Sequence, residues 1–502
     1  MESPLHLLIQ HPFNPPLLGP VDLHLIRPRA IPMTTFCSEL STEPSESESE
    51  SESDTKSDSS SVIYVDQEPL ITFQVRVLDF ALHKIWPDAA SDEIVVERMV
   101  GGGFNRIIGV SWQPRGNPEP LSRYILRIPR YADQPVASQV TILQFLVQYC
   151  RIPAPLVVDH DDTDNNELGS KYMIQNRVPG SSLLWSYPAL THPERCKVAR
   201  ELGSVFREML ATSSTASGVL VPSTDKSAPL SVLSWHQPNT ALAVEYAKSS
   251  IPQDIHKILE EIFTNQKHSE LKERPNAIIR PHLIDCFCMM SSELAADGWF
   301  SNCRISLAHL DLEPRNILVN PDPNSDRPII SAIVDWDSAV FAPQFMCCAP
   351  PLWLWAWKDD EDEDERTAND VPPTPEARQI KQLFEEAAGS DYIRFAYPSA
   401  YRLARRLVRF AIDGLKSNED YENAEDMLEE WKTLSSCESG LVSLMEQHNN
   451  DGTPTQSEWG ASLDDDDDDA DIWEQSDILG QDELTIDEVE EHTTFQNCAT
   501  GA

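Results

Sequence analysis

Short apolar runs alternate with polar loops in the first half of the chain. Runs rich in branched residues are separated by glycine, proline and acidic segments, a pattern that predicts β-strands. Residues 73–85 and 138–149 have apolar side chains at helical spacing and predict two helices. Together these features indicate a small antiparallel sheet with one helix between its third and fourth strands. The predicted strands are residues 94–100, 107–112, 124–128, 156–158 and 172–178.

The pattern changes after Pro179 and Gly180, where longer segments with helical spacing dominate. A hairpin pattern over residues 317–334 interrupts them. We therefore predict an α+β fold, with a sheet-containing N-terminal lobe over residues 62–178 and a mainly helical lobe over residues 179–440. The predicted helices of the second lobe are residues 193–212, 253–265, 280–297, 377–387 and 395–434, the last with a basic face formed by Arg402, Arg405, Arg406 and Arg409.

Charge is distributed unevenly along the chain. It has 82 acidic and 39 basic residues and a formal net charge of −43, and the acids concentrate in residues 43–58, in residues 359–366 and at the end of the chain. Acidic and serine-rich segments bury too little apolar surface to offset their conformational entropy, so we predict disordered tails over residues 1–61 and 441–502. No basic stripe is present to neutralise phosphates, and this argues against nucleic-acid binding.

Cysteine usage and hydropathy bear on the compartment. The 10 cysteines are scattered without a zinc-binding pattern, which is typical of a protein in a reducing environment. No apolar run reaches the roughly 18 residues of a membrane span, so no membrane partner is expected. The N-terminal residues lack the basic-then-apolar order of a secretory signal, and a mitochondrial presequence is the weaker alternative. We expect a cytoplasmic protein, and the sequence leaves its oligomeric state open.

The most informative stretch is residues 305–339. It contains the pattern H-x-D-x-x-x-x-N at His309, Asp311 and Asn316, followed directly by an apolar strand pattern. A second strand pattern then leads to Asp335. Because the two strands are predicted to form a hairpin, we expect Asp335 to return to a position beside Asn316.

These residue types suit phosphoryl transfer, whose loose transition state requires positioning and charge neutralisation. Asp311 is the candidate catalytic base, which would accept the proton of an acceptor hydroxyl. Asn316 and Asp335 are candidate ligands of Mg²⁺, a cation that prefers oxygen donors. His309 is interpreted as a buried brace of the loop. The competing interpretation is that Asp311, Asn316 and Asp335 are ordinary loop residues.

The same motifs resemble those of the aminoglycoside phosphotransferase/choline kinase family, and in particular its fungal phosphotransferase-domain branch. The family's catalytic motif is similar to HLDLEPRNILV at residues 309–319, and its metal motif is similar to VDWD at residues 334–337. The segment PPLWLW at residues 350–355 also resembles one that follows the metal motif in the fungal branch. The resemblance covers roughly residues 90–435. It implies a bilobal protein-kinase-like fold, ATP as co-substrate and Mg²⁺ as cofactor.

The resemblance also implies nucleotide-binding residues in the first lobe. Gly101, Gly102 and Gly103 lie between two predicted strands, where the family places its phosphate loop, and a plain hairpin turn is the alternative. Arg127 lies where a family lysine would contact the phosphates. Gln139 takes the place of the glutamate that orients this lysine. Because glutamine supplies no charge, a degenerate nucleotide site is a second alternative.

The segment at residues 172–180 is similar to the family's hinge. This similarity implies that the backbones of Asn176 and Val178 contact adenine, with Gln175 beside the base. A backbone contact depends little on side-chain type, so the local departures from the family pattern leave this expectation intact.

Three tryptophans, Trp353, Trp355 and Trp357, alternate along a short segment before an acidic loop. They either line an acceptor pocket, where aromatic faces suit a cationic amine, or pack within the helical lobe. In both cases the expected partner is a small molecule with a hydroxyl acceptor, and the first alternative makes it cationic.

Three functions are compatible with these residues. The first is an ATP- and Mg²⁺-dependent phosphotransferase that moves the γ-phosphate to a hydroxyl of a small molecule. The alternative is a non-catalytic, pseudokinase-like module that binds a nucleotide or a partner, as Gln139 and the acidic tails suggest. A protein kinase is disfavoured, because Asp335-Trp336-Asp337 replaces Asp-Phe-Gly and no Ala-Pro-Glu follows at a fitting place.

Overall fold

The computed structural model describes residues 70–99, 104–131, 134–223, 230–235, 241–243, 251–275, 279–322, 327–357 and 364–450. These residues belong to one compact unit that begins at Asp66. The tail predicted over residues 1–61, and residues 451–502 of the second predicted tail, lie outside the described residues. None of the described helices combines the length and the apolar character that crossing a membrane requires.

The first part of the described chain is an antiparallel sheet, as the sequence predicted. Its strands are ordered β1-β2-β3-β5-β4, and each neighbouring pair is antiparallel. The elements are α1 (Leu70–Phe80), β1 (Ile94–Arg98), β2 (Asn105–Trp112), β3 (Ser122–Pro129), α2 (Val136–Tyr149), β4 (Val157–Asp161) and β5 (Tyr172–Asn176).

Strand β3 separates two environments by the alternation of its side chains. Leu126 and Ile128 are buried in a small core with Phe80 of α1. Arg127 lies between them in sequence and points to the opposite face, because successive side chains alternate along a strand. Met173 of β5, which pairs with Arg127, belongs to the larger core that continues into the helical lobe. The alternation of β3 therefore directs Arg127 toward that lobe.

The second part is mainly helical, which confirms the predicted character of the second lobe. Its last helix continues past the boundary predicted at residue 440. Helix α4 begins at a capping box in which Glu194 accepts hydrogen bonds from the amide and the hydroxyl of Thr191. The helices are α3 (Leu183–Ser186), α4 (His192–Ala211), α5 (Ile255–Glu273), α6 (Ile279–Ala296), α7 (Pro375–Ala388), α8 (Ser390–Ala396), α9 (Ser399–Asp413) and α10 (Asn418–Asn450).

Two further sheets lie among these helices. The predicted hairpin forms, since β12 (Ile317–Val319) pairs with β13 (Ile330–Ile333), and β6 (Ser181–Ser182) joins its edge. The sequence pattern does not predict the other sheet, β10-β9-β8-β14-β11-β7, because its short strands pair residues that are distant in sequence. Those strands are β7 (Ser213–Ser214), β8 (Gly218–Pro222), β9 (Leu230–Ser234), β10 (Ala241–Ala243), β11 (Ile305–Ala308) and β14 (Val340–Pro343).

Helix α2 joins the N-terminal sheet to the helical lobe. Leu143 and Phe145 are buried in the same core as Leu202 of α4 and Phe341 of β14. The rings of Phe145 and Phe341 meet edge to face, with 5.8 Å between centroids. Burial of each such side chain contributes about 1.5–3 kcal/mol. Helix α2 also packs against the 3₁₀ turn at Trp336–Ser338, so the sheet and the candidate metal motif share one packed framework.

Candidate active site

The loop after β11 carries the candidate catalytic base. Asn316 fixes the loop, because its Nδ2 donates to the carbonyl oxygen of Asp311 at 2.8 Å and to the Asp311 carboxylate at 2.9 Å. Arg315 donates to the other carboxylate oxygen of Asp311 at 2.5 Å. Asn316 itself begins the transition into β12 after a 3₁₀ turn at Pro314–Asn316. The loop and its 3₁₀ turn therefore bring the carboxylate and the amide into direct contact.

His309 braces this loop against the metal motif. The ring is 1% exposed, and its Nε2 lies 3.1 Å from the carbonyl oxygen of Val334. The amide of Asp311 donates to its Nδ1 at 3.3 Å, so the ring is assigned as neutral, with its proton on Nε2. Burial lowers the pKa of His309 below its ordinary value. Its environment agrees with the predicted role as a brace.

The end of β13 brings Asp335 to the catalytic loop. The amide of Val334 donates to the carbonyl oxygen of Asn316 at 2.8 Å, which extends the hairpin pairing by one bond. Asp335 is therefore next in sequence to a residue that is bonded to both His309 and Asn316. The hairpin predicted from sequence thus joins the two candidate metal-ligand positions.

Two residues of this region have strained backbones. Leu310 and Asp335 both have φ near 63°, a left-handed conformation that side chains with a Cβ rarely adopt. Such conformations cost about 1–3 kcal/mol each and cluster at functional sites. Leu310 immediately precedes Asp311, so both strained positions orient candidate functional carboxylates.

Arg127 crosses from the sheet to the metal motif. Its guanidinium donates to Asp337 at 2.6 Å and to Asp335 at 3.3 Å. Asn105 of β2 donates to the same Asp337 oxygen at 3.1 Å. Arg127 is only 7% exposed, whereas the side chain of Asp335 is 48% exposed. The arginine predicted from its strand position therefore reaches the carboxylate predicted as a metal ligand.

Asp337 and Asn105 belong to the candidate site through their contact with each other and through the bond of Asp337 to Arg127. The sequence analysis did not predict either residue as part of the site. Burial raises the pKa of Asp337, and the nearby Arg127 opposes this effect. The signal in the sequence was the second carboxylate of Asp335-Trp336-Asp337. Trp336 separates the two acids and is buried, with its indole N–H donating to the carbonyl oxygen of Ile333 at 3.0 Å. The turn therefore presents both carboxylates while its central residue anchors it.

Gln139 lies on the buried side of α2. Within the described residues, no hydrogen bond joins its amide to Arg127, whose partners are Asp335 and Asp337. The acid that pairs with the strand arginine thus comes from the metal motif rather than from α2. Helix α2 acts on this pair through its packing against the 336–338 turn.

Among the predicted hinge residues, the backbone amide of Asn176 is already hydrogen-bonded, whereas, within the described residues, groups of Val178 and Gln175 are not. The Asn176 amide donates to the carbonyl oxygen of Leu156 at 2.9 Å, so it is already paired within the sheet. No hydrogen bond to the Val178 backbone occurs within the described part of the chain. The side chain of Gln175 is buried, and its Oε1 has no partner. Gly101, Gly102 and Gly103 lie outside the described residues.

The donor set fits a hard cation and a phosphate ester. Asn316 uses its Nδ2 for Asp311, which leaves Oδ1 available, and the Asn316 carbonyl oxygen is bonded to the residue before Asp335. Oxygen donors of this kind suit Mg²⁺, which keeps several waters and takes few protein ligands. No cluster of three or more His, Cys, Asp or Glu side chains within the described ranges could hold a metal. Arg127 has a buried Nε without a partner, an unused donor that an anion would satisfy.

A cavity of about 370 Å³ opens beside Asp311 on the side of the helical lobe. Its size lies at the small end of the range for ligand pockets. Asp311 and Glu313 form one part of its wall, and Trp353 another. The remaining lining includes Phe206, Met209, Met346, Cys347, Leu352, Glu365, Arg405, Arg406 and Arg409.

The tryptophan segment combines the two predicted alternatives. Trp353 and Trp355 are buried in the main core, and Trp357 stacks on Tyr187 with 5.0 Å between centroids. Trp353 also lines the cavity beside Asp311. Packing therefore accounts for Trp355 and Trp357, whereas Trp353 has both a packing contact and access to the candidate acceptor site.

The chain is similar to several known proteins. A model of the phosphotransferase enzyme family matches residues 115–369. A subtelomeric hrmA-associated cluster protein of Aspergillus fumigatus is 23% identical in an alignment of 358 positions, which covers 58% of this chain and 68% of the relative. The GDP complex of aminoglycoside 2'-phosphotransferase-IIIa has a TM-score of 0.39 at 14% identity and covers 72% of this chain and 99% of its own. A choline kinase of Cryptosporidium parvum has a TM-score of 0.40 at 13% identity, with 75% and 99% covered.

The family model decides the assignment. It spans about half of the chain and includes the catalytic loop, the hairpin and the metal motif. The resemblance drawn from Asp311, Asn316 and Asp335 is thereby confirmed at the level of the family. This chain belongs to the phosphotransferase enzyme family.

Proposed function

We propose that this protein transfers the γ-phosphoryl group of ATP to a hydroxyl of a small molecule, with Asp311 as catalytic base. The observation that carries the proposal is the convergence of the catalytic loop and the metal motif. Asn316 holds the Asp311 carboxylate at 2.9 Å, and its carbonyl oxygen pairs with the residue that precedes Asp335. A cavity beside Asp311 provides space for the acceptor.

In the proposed step, the acceptor oxygen forms a bond to the γ-phosphorus while the bond from that phosphorus to the β–γ bridging oxygen breaks. The electron pair of the broken bond leaves with ADP, and the acceptor proton moves to the Asp311 carboxylate. Arg315 and Asn316 each hold one oxygen of that carboxylate. They fix its direction, so that little reorganisation is needed when the proton arrives.

Other residues would bind and orient the nucleotide. Mg²⁺ held by Asn316 and Asp335 would neutralise charge on the phosphates. Arg127 would contact a phosphate through its guanidinium group and exchange its bonds to Asp335 and Asp337 for it, since guanidinium groups hold phosphate oxygens in a forked geometry. The unpaired backbone of Val178 and the Oε1 of Gln175 are available to the base. Gly101, Gly102, Gly103 and Asn176 keep their predicted nucleotide-binding roles as part of the proposal. Gln139, which was predicted to take the place of the orienting glutamate, makes no hydrogen bond to Arg127 within the described residues, and Asp335 and Asp337 orient the arginine instead.

The test is ADP release over a panel of hydroxyl compounds with Mg·ATP. Asp311→Ala is expected to lower acceptor-dependent kcat by about 10²–10⁴-fold, the range for loss of a general base. Asp297→Ala serves as the matched control, because this aspartate is exposed at the end of α6. An acceptor-dependent rate that survives in Asp311→Ala would contradict the mechanism.

A non-catalytic nucleotide-binding module is the second candidate. The observation in its favour is that no hydrogen bond joins Gln139 to Arg127 within the described residues, so the charge pairing expected from the family is replaced. ADP release separates the two candidates, because both bind the nucleotide and a ligand that binds the native state raises the melting temperature in either case. The second candidate predicts stabilisation by Mg·ATP together with equal ADP release from the wild type and Asp311→Ala.

A further inference from the structure

The cavity beside Asp311 has three arginines in its lining. Helix α9 contributes Arg405, Arg406 and Arg409 to the lining. These positions lie on neighbouring turns, so one helix presents three guanidinium groups to the same space. The catalytic motif accounts for Asp311 but does not account for this cluster.

Arg405 is the structural member of the cluster. It is 5% exposed and donates to the carbonyl oxygens of Phe395 at 2.8 Å and Ala396 at 3.1 Å. It also pairs with Glu365, so its charge is compensated within the protein. Its buried Nε nevertheless has no hydrogen-bond partner. Arg405 therefore forms a fixed part of the wall and retains one unused donor.

Arg406 shares its carboxylate partner. Glu430 lies 3.6 Å from Arg406 but is engaged by Arg402 through both of its oxygens. Arg406 otherwise donates to the carbonyl oxygen of Asn423 at 2.7 Å. Burial lowers the pKa of Arg406, the nearby Glu430 opposes this effect, Arg402 adds repulsion and Asp426 adds attraction. Glu430 thus serves two guanidinium groups and lies 3.6 Å from Arg406, so an anion in the cavity would gain a closer contact with Arg406.

Arg409 is the accessible member. Its side chain is 45% exposed and pairs with Asp413 at 3.0 Å, a partner four residues along the same helix. Exposed pairs of this kind contribute about 0–1 kcal/mol, so a ligand can compete for Arg409 at little cost.

The acids of the cavity are poorly placed to hold a cation. Asp311 is paired with Arg315, and Glu365 is paired with Arg405. Of the three lining acids, only Glu313 has no ion pair within the described residues. A cationic amine at the aromatic wall would therefore have one uncompensated carboxylate and would face the guanidinium groups of Arg406 and Arg409.

We infer that the acceptor is an anionic hydroxy compound, with its hydroxyl at Asp311 and its carboxylate or phosphate at Arg406 and Arg409. This inference rests on the proposed function and specifies its substrate class. Guanidinium groups bind both kinds of anion in a forked, charge-assisted geometry. The hydroxyl proton would move to Asp311 as the oxygen takes the γ-phosphoryl group, and the distant anion would stay unchanged.

The experiment compares four compounds that carry hydroxyl groups: glycerate, glycerol 3-phosphate, glycerol and choline. Each is tested with the full chain for ADP release with Mg·ATP, and for thermal stabilisation with a saturating, non-hydrolysable ATP analogue and Mg²⁺. We expect at least about tenfold higher kcat/KM, or tighter binding, for one or both anions, as charge-assisted hydrogen bonds provide. The first two compounds distinguish a carboxylate from a phosphate.

Three variants test the site. Arg409→Gln, at a half-exposed position, is expected to raise the KM or Kd of the anion at least about fivefold while the KM of ATP stays constant. Arg409→Lys should restore part of the affinity, and Arg378→Gln, exposed on α7, should match the wild type. Equal or better use of glycerol or choline, or anion binding that is unchanged in Arg409→Gln, would overturn the inference.

The binding measurement also separates this inference from the proposed function. Anion binding that depends on Arg409 but occurs without any ADP release would support the anion site and contradict phosphoryl transfer. Phosphorylation of glycerol or choline that depends on Asp311 would support transfer and contradict the anion site. Stabilisation by neither anion in the presence of the nucleotide analogue would also overturn the inference.

Discussion

The nucleotide end and the acceptor end of the candidate active site balance their charges in different ways. At the nucleotide end, Arg127 comes from the N-terminal sheet and pairs with Asp335 and Asp337 of the helical lobe. At the acceptor end, Arg406 and Arg409 come from α9 and pair with acids of the same lobe. The ion pairs of Arg127 depend on how the N-terminal sheet packs against the helical lobe, whereas the ion pairs of Arg406 and Arg409 lie within the helical lobe.

This difference in ion pairing implies that the two ends respond differently when a ligand binds. A nucleotide that binds Arg127 must replace contacts that join the sheet to the metal motif, so its binding is coupled to the seating of the sheet. An acceptor that binds Arg409 replaces one exposed pair on a single helix. Changes at the nucleotide end should therefore alter nucleotide kinetics and stability together, while changes at the acceptor end should alter acceptor kinetics alone.

Of the substitutions that test this comparison, Asp335→Asn should have the largest effect on activity. The amide retains the size of the side chain but removes a negative oxygen ligand, so kcat/KM should fall at least about 10²-fold. The Mg²⁺ concentration required for half-maximal rate should rise, which a magnesium titration of ADP release measures. The acceptor KM should change little, and a large rise in the acceptor KM alone would contradict the assignment of Asp335 to the nucleotide end.

Asp337→Asn should have an intermediate effect on both binding and stability. Loss of the closest partner of a buried arginine is expected to cost on the order of 1–2 kcal/mol, reduced from a fully buried pair because Asp335 remains nearby. The KM of ATP should rise about tenfold, since Arg127 loses its fixed direction. Denaturant unfolding and ATP titration measure the two effects.

Asp364→Asn is the control for Asp337→Asn, because Asp364 also pairs with an arginine, Arg366, but both side chains are exposed. The free energy of unfolding of Asp364→Asn should differ from that of the wild type by less than about 1 kcal/mol. Equal destabilisation by the two variants would show that the contact between Arg127 and Asp337 does not hold the sheet to the metal motif.

His309 should have the smallest effect, which is confined to acidic pH. Burial lowers its pKa in the folded state, so its contribution to stability is complete above the unfolded value near 6.5 and is lost as the pH falls below it. The melting temperature of the wild type should therefore fall more than that of His309→Gln between pH 7 and 5.5, by on the order of 2–4 °C. Parallel pH profiles would contradict a neutral, buried His309.

The local sequence was sufficient to predict the catalytic end. The spacing of Asp311 and Asn316 places both on one loop, and the structure shows that they are in direct contact. The hairpin pattern predicts that Asp335 returns to this loop, and the pairing of β12 with β13 confirms the hairpin. The roles of these residues in metal binding and catalysis stay predictions until the kinetic tests above are made.

The sequence could not predict the partner of Arg127. Its alternation with Leu126 and Ile128 indicates which face of β3 it occupies, but not which acid lies opposite. Asp337 is far from Arg127 along the chain. The contact between Arg127 and Asp337 is part of the tertiary packing in which α2 lies against the 336–338 turn. The substitution at Gln139 looked like a lost charge in the sequence, whereas the structure supplies that charge from another element.

By itself, the sequence determined the α+β character, the candidate catalytic base and the metal-ligand pair, because periodicity and short spacings act within one element or one turn. Only the tertiary structure decided that the basic face of α9 lines a cavity beside Asp311. Phe206, Met346 and Arg409 come from separate segments and share no local pattern. Their proximity follows from the packing of the whole helical lobe, which no single segment encodes.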